Sequence, residues 1–429
     1  MKTLICIPCL LTGGTEIQTL NTVHALVQSG HEVTVACYFE HSPYMVERYR
    51  KAGAEVQLFS PEGTRVGGYR AIPYLYKHLR RTIKVVRPDV AHVQYMAPGA
   101  MVILLLWLLG VKNIIATAHT SADIYKDLRL IHFLQRHILR AFTCITERAE
   151  RSFFGSSQLY TTETLLGKRN HFTIYNALPK ATALQSTVKV CANEQESNSF
   201  ELLQRVQPKL SDEVTNGQQT GHPDEDTQGV YENANVDENY THRSPLTAHR
   251  STIGVVSRLE PIKGMDLVVP AFAEVLRKFP EVRLLVVGDG SLRATMEQQA
   301  ADLGCADRIT WVGRQPQEEL AQWYGQMDIV LMPSRSEGFG LTAIEAMANG
   351  CVMVASNVGG LPEVVRDGVC GLLHRSEDVQ DMAAKVCALL DDAALYDRLR
   401  AQSLIEIEKY SFEQYAYLIN NLYIKLIEG

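Results

Sequence analysis

The residues best suited to chemistry cluster in Pro333–Gly350, PSRSEGFGLTAIEAMANG. Glu337 and Glu345 bracket a turn made by Gly338 and Gly340, and an apolar-faced helix starts at Leu341. A helix that starts just after glycines offers unpaired backbone N–H groups and the positive end of its dipole, which together suit a phosphate. The two carboxylates are acceptors for hydroxyl groups on whatever carries that phosphate. A second stretch, Ser257-Arg258-Leu259-Glu260-Pro261-Ile262-Lys263-Gly264, sets two cations on a strand-to-helix loop, again pointing to an anion. Near the N-terminus, Gly13-Gly14 follows an apolar strand. The pair lets backbone approach a ligand closely, or it is a plain tight turn. His119 ends the strand Asn113–Thr117, on the ligand edge of a parallel sheet, where a lone histidine more often serves structure than chemistry.

These residues need a frame, and the sequence supplies one by alternation. Strands are expected over 2–7, 32–36, 55–59, 89–94, 113–117 and 172–176, then over 252–256, 282–287, 308–312, 328–332 and 351–355. Helical spacing separates them, including a basic helix over 72–86 and an apolar core helix over 100–109. Tyr125–Arg151 reads as one long basic, aromatic helix that could cover the sheet or lie on an anionic bilayer. A final helix starts at the capping-box serine Ser411. The fold class is α/β: two facing Rossmann-like domains, 1–179 and 250–410, with a ligand cleft between them and helix 411–429 packing back on the first. Residues 180–249 are polar and acidic, poor in aromatics, and are expected to be a largely disordered insertion with a short helix near Phe200–Val206.

Composition narrows the class. The chain has 429 residues, 46% hydrophobic and 21% charged, as soluble globular proteins do. Its net charge of −6 divides unevenly, about +8 over residues 1–179, −5 over 180–250 and −9 over 251–429. The basic first half suits an anionic surface such as a membrane or lipid phosphate, and nothing points to nucleic acid. The N-terminus lacks a secretory cleavage pattern, and the run Ala100–Leu109 is too short to span a bilayer. Nine cysteines without close, even spacings suggest free thiols in a cytoplasmic compartment. Cys6 and Cys9 form a CxxC with no second ligand pair, so no metal site is expected. The GxGxxG fingerprint is absent after the first strand, and hydride chemistry loses support.

Taken in order, these motifs resemble the family 4 retaining glycosyltransferases of the GT-B fold. The resemblance rests on Gly13-Gly14-Thr15-Glu16, Gly30-His31-Glu32-Val33, His119 and Ile174-Tyr175-Asn176-Ala177 in the first half. In the second it rests on Gly254–Arg258 with Lys263-Gly264, Val287–Gly290, and Pro333–Gly340 with the E-x7-E acids Glu337 and Glu345. The resemblance implies a nucleotide-sugar co-substrate, UDP- or GDP-linked, and no cofactor or metal. Arg258 and Lys263 would bind the diphosphate, with the amides of Gly338, Phe339, Gly340 and Leu341 adding to that site. Glu337 would hold a sugar hydroxyl, Glu345 the ribose, and His119 would face the sugar. Gly13 and Gly14 would let the first-domain loop approach donor and acceptor. The acceptor would be a glycan or lipid-linked intermediate of cell-surface polysaccharide or glycolipid synthesis, met at the inner face of the cell membrane. Two departures stand out: the insertion at the interdomain linker, and Ala177-Leu178 where the family more usually has Gly followed by an aliphatic residue and Asp. Two rival readings remain: a GT-B epimerase, for which Glu16 would be the first-domain acid, and a non-catalytic binding protein using the acidic insertion.

Overall fold

A computed structural model describes residues 1–94, 99–125, 127–167, 169–180 and 251–428. The acidic insertion, with the short helix expected near Phe200–Val206, lies outside them. The first half runs β1 (Lys2–Ile7), α1 (Gly14–Gln28), β2 (Glu32–Cys37), α2 (Pro43–Lys51), β3 (Glu55–Leu58), α3 (Ala71–Val86), β4 (Val90–Gln94), α4 (Gly99–Leu108), β5 (Ile114–Ala118), α5 (Arg129–His137), β6 (Ala141–Cys144), α6 (Glu147–Phe154) and β7 (His171–Thr173). The second runs β8 (Thr252–Val256), α7 (Val268–Lys278), β9 (Arg283–Val287), α8 (Arg293–Asp302), β10 (Ile309–Gly313), α9 (Leu320–Tyr324), β11 (Ile329–Met332), α10 (Leu341–Ala348), β12 (Val352–Ser356), α11 (Leu361–Val364), β13 (Gly371–His374), α12 (Val379–Asp391), α13 (Ala393–Glu406) and α14 (Phe412–Glu428).

Each half forms one parallel sheet, ordered β3-β2-β1-β4-β5-β6-β7 and β10-β9-β8-β11-β12-β13. Both orders reverse at the first strand of their half. That reversal opens a crevice at the carboxyl ends of the strands, where ligands of such sheets bind. The inner strands are buried on both faces, Leu4–Ile7 and Val352–Ala355 completely, and these two read as continuous apolar runs, whereas the edge strands β3 and β10 are partly exposed. Among the described residues no helix is long and apolar enough to cross a membrane.

The last helix belongs to the first sheet. Phe412, Tyr415, Ile419, Leu422, Tyr423 and Leu426 are buried in the core built on α1 and β1. Polar contacts fix its register: Thr22 Oγ1 lies 2.7 Å from the Tyr415 hydroxyl, and His31 Nε2 lies 3.0 Å from Asn420 Oδ1. The connection out of the first domain is clamped by α1, since Gln18 Oε1 accepts from Ala177 N at 3.1 Å and Asn21 Nδ2 donates to the Ala177 carbonyl at 3.1 Å.

Three expectations need correction. Tyr125–Arg151 is not one helix: α5 ends at His137, and the fully buried Ala141–Cys144 is a strand pairing with β5 and β7 before α6 begins at Glu147. Arginines and aromatics on both sides disguise four strand residues as part of a basic helical pattern. The helix over 100–109 is only partly core, with Trp107 at 51% and Leu108 at 67% exposure. The strand expected over 172–176 is His171–Thr173.

Candidate active site

Two loops on the second sheet build the charged half of the site. The loop after β8 carries Arg258, exposed, and then a tight turn, Pro261–Lys263, closed by Gly264 at φ 65°. A Cβ on Gly264 would lie 2.0 Å from the Pro333 carbonyl oxygen, so only glycine lets this loop pack backbone-to-backbone on the loop after β11. Lys263 Nζ thereby reaches Glu337 Oε2 at 2.7 Å, with both side chains mostly buried. Arg335, which the sequence reading passed over, holds the two loops together. Its backbone N–H donates to the Ile262 carbonyl at 3.0 Å, and its guanidinium grips Asp266 with bonds of 2.7 and 2.8 Å and Glu377 at 2.9 Å. It also donates to the Pro261 carbonyl. Hydrogen bonding from Arg335 holds the Asp266 carboxyl below its usual range.

Beyond Glu337 the chain turns through Gly338–Gly340 into α10. Its N-terminus has no side-chain cap, so its first amides are available to an acceptor on a ligand. Phe339 points the other way: it is buried against Tyr410 and Tyr175, and only its backbone faces the loop. Glu345, one turn into α10, is 4% exposed. Its oxygens accept from Gln317 Nε2 at 2.6 Å and the Tyr324 hydroxyl at 3.0 Å. Burial pushes its carboxyl up to about 7, although both hydrogen bonds pull the other way. Each carboxylate oxygen keeps acceptor capacity for a further donor.

The first sheet supplies a different wall. His119 follows β5 and is 6% exposed. Its Nε2 lies 2.7 Å from Gln94 Oε1, at the end of the neighbouring strand β4. Burial holds the ring far below its ordinary value, at about 3, so His119 is neutral at physiological pH. Beneath it runs a buried polar chain: Thr143 Oγ1 to Thr117 Oγ1 at 2.6 Å, Thr117 Oγ1 to His92 Nε2 at 2.6 Å, and His92 Nδ1 to the Tyr423 hydroxyl of α14 at 2.7 Å. Gly13 and Gly14 lie at the start of α1. Glu16, 5% exposed, accepts from the Cys9 thiol at 3.1 Å, and its carboxyl is raised by burial while the charge of Arg258 opposes that rise.

The walls meet at two glycines. A Cβ on Gly338 would sit 2.4 Å from the His119 carbonyl oxygen, and one on Gly14 would touch Leu341 at 3.5 Å. Polar contacts around the rim fix this approach. Arg314 donates to Thr12 Oγ1 at 3.0 Å, and Glu318 accepts from the Tyr44 hydroxyl at 3.0 Å and pairs with Arg48 at 3.3 Å. Glu363 caps α6 from the opposite domain, accepting from the backbone N–H of Glu147 at 2.8 Å and of Arg148 at 2.6 Å. The structure therefore gathers Lys263, Glu337, Gly338, Leu341, Gly14 and His119 at one seam. Arg258 stands on its exposed side, within electrostatic reach of Glu16, and Glu345 is buried one turn into α10. Sequence reading missed Arg335, Gln94, Gln317, Tyr324 and Glu363. Of these only Glu363 carried a signal, as an acid in a Gly-Gly-Leu-Pro-Glu turn directly after a strand. No group of His, Cys, Asp and Glu able to hold a metal ion occurs among the described residues.

Residues 12–159 match the family described as Glycosyltransferase Family 4, and residues 237–404 match Glycosyl transferases group 1. Among curated proteins, the chain is 43% identical over 159 residues to D-inositol 3-phosphate glycosyltransferase of Nocardia farcinica, covering 35% of each chain. It is 31% identical over 214 residues to the protein so named from Thermobispora bispora, covering 46% of this chain and 50% of that one. These matches span about a third to a half of the relatives' own length. Among solved structures, a glycosyltransferase from Rickettsia africae superposes with a TM-score of 0.70 at 16% identity, covering 100% of this chain and 99% of that one. Anabaena HepE, solved with UDP, gives 0.68 at 17%, covering 98% and 99%. At such identities these structures speak for the fold.

Proposed function

The chain belongs to glycosyltransferase family 4 and has the GT-B fold, and from that premise we propose that it moves a hexose-type sugar from a nucleoside-diphosphate donor to an acceptor hydroxyl, with retention of configuration. The observation that carries this reading is the seam itself: Lys263 on Glu337 at 2.7 Å, against a neutral His119, at an uncapped helix start. UDP or GDP is the carrier expected, and the UDP in the HepE structure favours UDP.

The division of labour follows from charge. As the glycosidic bond breaks, negative charge grows on the departing diphosphate and positive charge on the sugar ring. Arg258 and Lys263 face the first, together with the amides of Gly338–Leu341. Preorganised groups of this kind supply the largest catalytic contribution in most enzymes. Donor binding exchanges the Glu337 partner of Lys263 for a phosphate oxygen and frees Glu337 to accept from a sugar hydroxyl. Glu345 accepts from the ribose. His119, neutral, offers a dipole to the sugar and adds no charge repelling the developing cation. The acceptor proton passes to the donor's own phosphate oxygen on the face where the new bond forms. Two fixed cations neutralise the diphosphate, so a chelator should leave the rate unchanged.

The acceptor is a glycan or lipid-linked intermediate of cell-surface polysaccharide or glycolipid synthesis, reached from the cytoplasmic face of the membrane. The exposed cations Lys77, Arg80, Arg81 and Lys84 of α3 would lie toward that face. A phosphorylated polyol is the second reading, favoured by the name of the curated relatives. Incubation with labelled UDP- and GDP-hexoses and each acceptor class tests both. Anomer-resolved product from either acceptor supports transfer, whereas epimerised donor would point to the rival chemistry. No turnover with any donor would sink the proposal.

A further inference from the structure

The first domain holds another cavity, at the edge of its sheet opposite His119. It encloses about 470 Å³ between the end of α5, the segment leading into β7, and the last turns of α14. Arg140 directly precedes β6 and Asn170 directly precedes β7, whereas His119 directly follows β5. The strands are parallel, so the cavity lies a strand's length from the seam between the domains.

Four permanent cations line it, Arg136, Arg140, Arg169 and Lys425, and no carboxylate does. Glu150, fully buried behind the wall, accepts from Arg169 at 2.7 Å and lies 2.7 Å from His171 Nδ1, which offsets one charge. Lys425 is aimed by backbone, donating to the carbonyls of Thr162 and of Thr164, the latter at 2.9 Å. Among the described residues Arg136 and Arg140 pair with no carboxylate. A helix C-terminus favours a cation near it. That accounts for Arg136 in the last turn of α5 and Lys425 in the last turn of α14, but not for Arg140 or Arg169, which lie in the segments leading into β6 and β7. The contrast with α3 is instructive. Its cations are exposed along one helix, as solvated charge is, while these four, from different segments, line one concavity. Like charges brought together repel unless an anion sits among them.

We infer that this cavity is a binding site for a phosphate-bearing ligand, separate from the donor cleft. Several guanidinium groups and an ammonium match the many oxygens of a phosphate ester better than a single carboxylate. The volume falls in the range of small-molecule sites, about 300–1,000 Å³, and leaves room for the group that carries the phosphate. That ligand is either a soluble phosphorylated small molecule or the headgroup of an anionic phospholipid. Leu165 and Ile427, next in sequence to the lining residues Leu166 and Leu426, are 72% and 45% exposed.

The test uses the full chain carrying Lys263→Ala, which weakens anion binding in the donor cleft. One arm titrates glucose 6-phosphate at low ionic strength and follows the rise in Tm. The other sediments the protein with phosphatidylcholine vesicles with and without phosphatidylglycerol. Each arm is repeated with Arg136→Gln and Arg140→Gln added, and circular dichroism checks that these exposed changes leave the fold intact. Saturable binding in one arm that weakens at least tenfold with the added pair supports the site, and the responding arm identifies the source. Binding in neither arm, or binding unaffected by the pair, overturns it. Sugar transfer is not the readout, so failure here leaves the transferase proposal standing.

Discussion

The two walls of the seam differ in kind. The second-domain wall works by charge: Lys263 on Glu337, with Arg335 gripping Asp266 and Glu377 behind it. The first-domain wall works by neutrality and shape: a histidine kept uncharged by burial, a glutamine beside it, two glycines and a backbone carbonyl. Leaving-group charge needs fixed counter-charge, and a sugar ring turning cationic needs a wall that does not repel it. The difference teaches that the second domain should govern rate and donor affinity, while the first governs where the sugar sits.

The largest break in this comparison is Lys263→Ala. Turnover is expected to fall at least about tenfold, since one oriented donor on developing charge contributes that much or more. Steady-state kinetics check this, and an unchanged rate removes Lys263 from the mechanism. Next comes Gly338→Ala, whose new methyl group would meet the His119 carbonyl at 2.4 Å. That oxygen is backbone and cannot swing aside, so the walls must part. A several-fold loss of kcat is expected, with a lower Tm; a variant with wild-type kinetics would show that the seam is not where reaction occurs.

A pH experiment sharpens the same contrast. Burial raises Glu345 to about 7, and a carboxylate accepts from a hydroxyl best when ionised, so under the proposed ribose role donor affinity should rise between about pH 6 and 8. Titrating donor into Glu345→Gln should give a weaker, flatter profile, and an unaltered slope would detach Glu345 from the nucleotide. The stability terms run in opposite directions. Glu345 has a folded pKa above its unfolded value near 4.3, so its contribution is lost as pH climbs through about 7. His92 and His119, both held at about 3, contribute stability above about pH 6.5 that is lost as pH falls toward 3. His119 should therefore add no step to the rate profile between pH 5 and 8.

The smallest effect concerns the rim. Glu363→Gln keeps an acceptor for α6 but loses the charge on its dipole, worth about 0.3–1 kcal/mol. A slight fall in Tm with little change in kcat is expected, and a tenfold rate loss would move Glu363 into the chemistry.

The charged wall was legible in the chain because its residues lie on loops directly after apolar strands, where type and position speak together. Lys263 and Glu337 are 74 residues apart, yet each occupies a loop at the same sheet edge. The neutral wall was harder. Gln94 reads as a strand residue, and its contact with His119 exists only because β4 and β5 are neighbours. Arg335 looked like part of a polar turn, since its partners come from two distant loops. Strand β6 was hidden because four buried residues between basic segments continue a helical pattern. Local pattern gives elements and loop chemistry, while side chains that bridge elements need the sheet order first.

The most direct measurement is transfer of labelled sugar from a nucleotide donor by the wild-type chain and by Lys263→Ala, under saturating donor. A role for Lys263 at the departing diphosphate predicts product from the wild type and at least about a tenfold slower rate from the variant. Equal rates in the two, or no product from any donor, would contradict it.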